Sequence, residues 1–356
     1  MSIKQRTKLG LFTIAKWTGV FAVSRLLMHR QLIVLGYHGF QLTDEASFRP
    51  ALFMEQRHFV QRLAMLAHGN YPVLPLAEGV RRLKDGTLPA NAVVIVLDDG
   101  FFSVLDKAAP LLHKHGFPAT LYVTSYYVTR ETPVFRLAIQ YLFWKTERSS
   151  FEPPDRPWSS AKIVDLGDVQ AVHQTTWQII DYGEAHCDED QRQEICTEVA
   201  AALGLDFEAI NSTRGLSLLT LDELCQLDNF GIDVQLHTHR HTFPANKPEQ
   251  ARSELRDNRA VLEKVLGRRL EHFCYPSGVW ARELLPILAE EGIVSATTCQ
   301  AGMNDQTTNP LALYRILDEN NMHAIELEAE LAGFCELLRI ISGRRRRTDK
   351  EHSSSI

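Results

Sequence analysis

Along the chain, short runs of consecutive apolar residues alternate with stretches whose apolar positions recur every three or four residues. The runs LIVLGYH (32–38), VVIVL (93–97), ATLYVTSYYV (119–128), IDVQLH (232–237), EHFCYP (271–276) and IVSATT (293–298) read as strands. The helical spacing covers 53–67, 76–83, 104–115, 219–231, 248–266 and 281–291. YPVLPL (71–76) reads as a strand or an extended link. Punctuation agrees with these elements: Gly116, Gly231 and Gly267 each follow a helical stretch, and Thr220 precedes one as a cap. Continuous apolar strands buried on both faces and separated by helices predict a parallel sheet wrapped by helices, as a barrel or an open doubly wound sheet.

The rhythm breaks between 129 and 218. The proline-rich FEPPDRPW (151–158) is followed by helical runs near 169–182 and 189–203, too long for a plain connection. The expectation is an insertion with its own small structure, shaping either a cleft or an interface. The resulting division is an N-terminal helix over 1–30, a barrel over 31–335 carrying this insertion, and a basic disordered tail over 336–356 with Arg344 to Arg347 inside it.

Composition narrows the class. Apolar residues make up 45% and charged residues 23% of 356, a globular balance, and the net charge of −6 offers no general pull toward nucleic acid. Six cysteines without any C-x-x-C pair suggest small core residues rather than a zinc ribbon, redox motif or disulfide framework. The opening thirty residues carry Lys4, Arg6 and Lys8 ahead of LFTIAKWTGVFAV (11–23), but Lys16 interrupts the apolar stretch and no small-residue cleavage pattern follows. A cytoplasmic chain is expected, exported less readily than retained, whose first helix packs on the domain or touches a membrane surface through Phe12, Trp17 and Phe21.

VVIVLDDG (93–100) ends a buried strand in two adjacent carboxylates, which repel unless a cation or a base role accounts for both. One account has Asp98 or Asp99 capping the next helix. The other draws on LHTHRHTF (236–243), whose histidines follow a second strand at the same C-terminal rim, where α/β folds bind ligands. His237 and His241 are four apart and would share a face on a helical turn, and with Asp99 they form a common metal-ligand set. Gly100 lets the backbone leave the strand so that both carboxylates reach one site.

DDG after an apolar strand, H-T-x-x-H further on and then FCYPSG (273–278) resemble the first three motifs of the polysaccharide deacetylase family, also called the NodB-homology family or carbohydrate esterase family 4. The resemblance runs from about 31 to about 334 and includes GYHGF (36–40), LGRRLEHFCYPSG (266–278) and LYRI (313–316). It implies a distorted (β/α) barrel of the NodB, or glycoside hydrolase/deacetylase, type with a helical insertion. It also implies metal-dependent removal of N-acyl groups from amino sugars in a polysaccharide or glycan precursor. Carried over by position, Asp99, His237 and His241 would hold a divalent metal, usually zinc in this family, and Asp98 would be the general base. The backbone N–H of Ser277 would complete an oxyanion hole.

Two departures stand out. Cys274 occupies the place of an arginine that orients the base, and no late L-x-H motif is present, since the C-terminal part reads IELEAELAGF (325–334). Some family members carry the acid histidine early, which nominates His38 as the group that protonates the leaving amine. His239 is read as a supporting residue, and His323 as a poorer acid because the loop DENNM precedes it. Trp280 and Tyr275 are open to either sugar stacking or packing. The departures leave two rival readings: a non-catalytic glycan-binding or scaffold protein, and a metal-free cyclic-amide hydrolase, against which all three metal ligands count.

Overall fold

Seven short parallel strands form the centre: β1 (Ile33–Tyr37), β2 (Val93–Leu97), β3 (Ala119–Val123), β4 (Ile232–Leu236), β5 (His272–Cys274), β6 (Ser295–Thr297) and β7 (Ile316–Leu317). They lie in the order β6-β5-β4-β3-β2-β1-β7 in the computed structural model, which describes residues 3–159 and 162–343. β1 and β2 run in register from Ile33 against Val93 to Tyr37 against Leu97. The sheet curls until Leu313, just ahead of β7, bridges Thr297 at the end of β6. This is the closure of a distorted (β/α) barrel.

Both faces of the strands are covered, which is why their sequences are apolar runs without alternation. Every residue of β2 is fully buried. Val94 and Val96 pack with Val34, Tyr122, Cys274 and the helix Leu76–Asp85, whereas Val93, Ile95 and Leu97 face the larger core. Each such aliphatic side chain contributes about 1.5–3 kcal/mol on burial. Gly79 is required in the Leu76–Asp85 helix because a Cβ there would lie 2.7 Å from Val94.

Several elements differ from the sequence expectation. The stretch from 53 opens with a two-residue strand, Phe53–Met54, paired with Gly39–Phe40, before the helix Gln56–His68 begins. YPVLPL contributes a single bridge, Val73 to Val93. The helix after β2 starts with a wide π turn, Val104–Ala108, ahead of Pro110. After β3 the chain enters a short helix, Ser125–Val128, instead of continuing as a strand.

The insertion is a helical layer with one small hairpin, Ser150–Phe151 against Val164–Asp165. Its helices Val169–His186 and Glu189–Ala202 coincide with the expected runs, while Phe135–Lys145 has no counterpart in the sequence reading. That helix is buried on most sides, so it lacks the one-sided periodicity that marks a surface helix. Its Phe135 lies so close to Gly183 that a Cβ there would approach the ring to 2.4 Å.

The ends also differ. In place of one N-terminal helix there are two, Ile3–Trp17 and Val20–Met28, set 79° apart. Thr18 closes the first by bonding its hydroxyl to Ile14 O at 2.8 Å, and Gly19 takes φ 82°. The stretch expected to be a tail from 336 instead carries the helix Phe334–Ile341; Arg344 to Arg347 lie outside the described residues. Phe334 packs against both Phe12 and Phe21, tying the two chain ends together.

Candidate active site

The carboxylate pair is presented by a change of backbone, not by a helix cap. Asp98 continues the ladder, its N–H donating to Tyr37 O at 2.9 Å, so its side chain keeps the facing of Val94 and Val96. Asp99 then takes φ 70° and Gly100 φ 94°, which swings the chain out of the strand. Gly100 alone was expected to make this turn; Asp99 shares the left-handed geometry, at a cost for a residue with a Cβ. Neither carboxylate caps the following helix, where Ser103 is the cap position and its hydroxyl accepts from Phe40 N–H.

The histidine loop uses the same device. His237 and His241 do not share a helical turn: they are brought together by a loop in which Thr238 and His241 have φ 65° and 56°. Thr238 Oγ1 accepts from Thr242 N–H at 3.2 Å, and the two imidazole centroids are 5.0 Å apart. The helix Pro248–Leu266 anchors this loop from behind. Asn258 accepts from His237 N–H and donates to Val123 O and Ser125 Oγ, while the Glu254 carboxylate holds Arg240.

These supports converge three ligand atoms. His237 faces Cys274 O through Nδ1 at 2.8 Å, which leaves Nε2 aimed at Asp99 Oδ1, 3.2 Å away. His241 Nε2 lies 3.3 Å from the same oxygen. Ligands about 2.0–2.1 Å from a tetrahedral zinc stand roughly 3.3–3.4 Å from one another, so the spacing suits a single small cation. Asp99 Oδ1 is buried with no hydrogen-bond partner, an oxygen that a cation would satisfy. Burial pushes the Asp99 carboxyl up, but His237 and His241 hold it well below its usual value. For His237, burial favours the neutral ring, yet Cys274 and the two carboxylates raise its pKa well above the usual value, a field that favours positive charge at this point. Asp98, His237 and Cys274 form a second converging trio, but Asp98 already has a cationic partner.

That partner is Arg315, which the sequence reading missed. It lies just ahead of β7, fully buried, and its Nη1 reaches Asp98 Oδ1 at 2.8 Å and Oδ2 at 2.6 Å. Nη2 donates to Cys299 Sγ at 3.2 Å. The arginine absent from the position of Cys274 is thus supplied from across the barrel. Cys274 Sγ sits 3.6 Å from Asp98 Oδ2. Burial raises the Asp98 pKa, but the Arg315 charge, followed by His38 and His237, lowers it overall, so Asp98 is held as a carboxylate. The sequence signal was a charged residue inside the apolar LYRI. Gly36 is its silent accomplice: a Cβ there would sit 2.9 Å from Leu317 and 3.5 Å from the Arg315 side chain.

His38 Nε2 stands 3.5 Å from Asp98 Oδ2, with the side chain 19% exposed toward the cleft. Ser277, in a turn with φ 54°, lines the same cleft. Of eight non-glycine residues with left-handed backbone among the described residues, Asp99, Thr238, His241 and Ser277 belong to this one site, which concentrates strain where groups are aimed. The cleft holds about 840 Å³, and the insertion builds one wall with Arg136, Gln140, Trp177, Glu184 and Arg192. Other candidates fall elsewhere. His239 bonds Ser125 Oγ at 2.9 Å, exposed His323 caps the helix Ala324–Leu331, and Tyr275 is wholly buried with its hydroxyl on Leu311 O. Trp280 is 7% exposed, in a packing position behind the loop.

A curled parallel barrel with an Asp-Asp pair and two histidines on its C-terminal rim defines a hydrolase of the glycoside hydrolase/deacetylase architecture. The family model for polysaccharide deacetylase matches residues 85–296, and the chain belongs to that family. Solved structures agree on the fold. A Streptococcus pyogenes deacetylase, PplD, in complex with acetate is 19% identical with a TM-score of 0.56, covering 85% of this chain and 98% of its own. IcaB from Ammonifex degensii is 17% identical with a TM-score of 0.54, covering 85% and 97%. A de-N-acetylase from Aggregatibacter actinomycetemcomitans is 12% identical with a TM-score of 0.53, covering 84% and 99%. No curated protein sequence gives a match.

Proposed function

We propose that this carbohydrate deacetylase is metal-dependent and removes the N-acetyl group from an amino-sugar unit of a polysaccharide or glycan precursor. The observation that carries the reading is the meeting of His237 Nε2 and His241 Nε2 on the unpartnered Asp99 Oδ1. Two imidazoles and one carboxylate match zinc, which in such a site polarises an amide carbonyl and increases the acidity of water.

The remaining chemistry is assigned to the chain's own groups. Asp98, kept ionised by Arg315, takes the proton of the attacking water as its oxygen bonds to the carbonyl carbon. The Ser277 backbone N–H is assigned to the oxygen that becomes negative as the carbonyl turns tetrahedral. When the carbon–nitrogen bond breaks, His38 gives a proton to the leaving nitrogen, releasing acetate and a free amine. Its place beside Asp98 supports the role, since the proton taken by the base can pass to the acid.

Acetate release from N-acetylglucosamine oligomers with added zinc tests the reading. Asp98→Asn should lower kcat by roughly 10²–10⁴-fold, the usual contribution of a general base, with zinc affinity retained. Undiminished turnover by that variant would remove the base from Asp98 and the mechanism with it.

A further inference from the structure

The two N-terminal helices pack on the domain through Phe12, Ala15 and Phe21, and their opposite faces are bare. On Ile3–Trp17 that face presents Leu11, Ile14 and Trp17, spaced by three and each at least 60% exposed. On Val20–Met28 it presents Val23, Leu26 and Leu27. The helix Phe334–Ile341 extends the bare surface: Phe334 is clamped under both N-terminal helices, and exposed Leu338 and Ile341 follow it four and seven positions on, along one face. A group of large apolar side chains this exposed is unusual on a soluble surface and marks a docking face.

Charge selects its occupant. The first thirty residues hold six Lys and Arg and no Asp or Glu, in a chain whose net charge is −6. Lys8 and Lys16 are spent on Glu326 and Glu328, and Arg25 reaches Gly69 O, leaving Lys4, Arg6 and Arg30 without an ion pair in the described structure. In the sequence, Arg344 to Arg347 follow shortly after Ile341, outside the described residues. An apolar face rimmed by uncompensated cations and centred on a tryptophan fits the boundary between lipid headgroups and acyl chains. Among the described residues no single helix is long and apolar enough to cross a membrane, and the 79° bend with one face of each helix buried on the protein suits lying on a surface.

We infer that the bent helix pair Ile3–Met28, together with the end of the helix Phe334–Ile341, is an interfacial docking surface for an anionic lipid bilayer. Phosphate headgroups meet Lys4, Arg6 and Arg30, while Trp17 and Leu26 enter the acyl boundary. The inference does not depend on the metal mechanism, because binding is read without turnover.

The full chain should co-sediment with phosphatidylcholine vesicles containing phosphatidylglycerol, release on raising salt, and bind pure phosphatidylcholine far less. The double change Lys4→Ala and Arg6→Ala should weaken partitioning about thirtyfold. Leu26→Glu should abolish it while the circular dichroism spectrum and acetate release from soluble oligomers stay unchanged. Trp17 fluorescence, isolated as the difference from Trp17→Ala, should shift to the blue on vesicle addition. Failure to bind vesicles of either composition overturns the inference. So does a concentration-dependent dimer that Leu26→Glu dissociates, which would make the face a contact between two copies of this chain.

Discussion

The cleft has two walls built on different physical terms. The barrel rim is strained and internally paired: Asp98 on Arg315, His237 on Cys274 O and Asn258, with left-handed backbone at Asp99, Thr238, His241 and Ser277. The insertion wall is half-exposed and held by surface pairs, such as Arg136 with Glu184 at 50% and 30% exposure. Surface pairs of this kind contribute about 0–1 kcal/mol, whereas breaking one partner of a buried pair costs about 3–5 kcal/mol. The difference teaches that chemistry is fixed where the fold cannot yield, and recognition is placed where side chains can be exchanged without loss of the fold.

The largest effect that would sharpen this contrast comes after loss of the base, at its anchor. Arg315→Met should lower kcat by at least tenfold and destabilise the fold by about 3–5 kcal/mol, since Asp98 is left buried without a cation. The pH profile distinguishes positioning from mere instability. Arg315 lowers the Asp98 pKa, so its removal should move the acid limb of kcat/KM to higher pH. In the unaltered protein, stability from the depressed Asp98 pKa is present above its ordinary value of ~3.9 and is lost as pH falls through the lower folded value. An unshifted acid limb in the variant would break the link between Arg315 and the base.

Gly36→Ala is the subtler version of the same test. Its Cβ would press on Leu317 at 2.9 Å and crowd Arg315, so activity should fall several-fold with zinc content unchanged. The insertion wall should respond in the other kinetic constant. Trp177→Ala and Arg136→Ala should raise KM about three- to tenfold with kcat little changed, the signature of lost uniform binding, and Arg136→Ala, at an exposed site, should leave stability within about 0.5 kcal/mol. A fall in kcat matching that of Arg315→Met would erase the distinction between the walls.

This contrast also explains what was legible in the sequence. VVIVLDDG and LHTHRHTF were readable because a buried parallel strand ending in ionisable groups violates its own apolar pattern, and the violation marks the rim. Arg315 violates the apolar pattern of LYRI in the same way, but its partner Asp98 follows a strand two places away in the sheet and far away in sequence, so only the order of the strands reveals the pair. The left-handed turns at Thr238 and His241 carry none of the glycine or asparagine that usually announces them, and at Asp99 only the following Gly100 signals the change. The insertion helix Phe135–Lys145 was hidden by the opposite cause, apolar residues on too many of its faces. The arginine whose absence favoured a non-catalytic reading is present from another strand, which removes half of that reading's motivation.

The most direct measurement is a calorimetric zinc titration of the purified, metal-stripped protein beside Asp99→Ala and His241→Ala. The account predicts one ion per chain for the unaltered protein and a loss of affinity of at least a hundredfold in each variant, with Arg136→Ala binding as the unaltered protein does. Zinc binding that survives both ligand substitutions, or none in the unaltered protein, would contradict it.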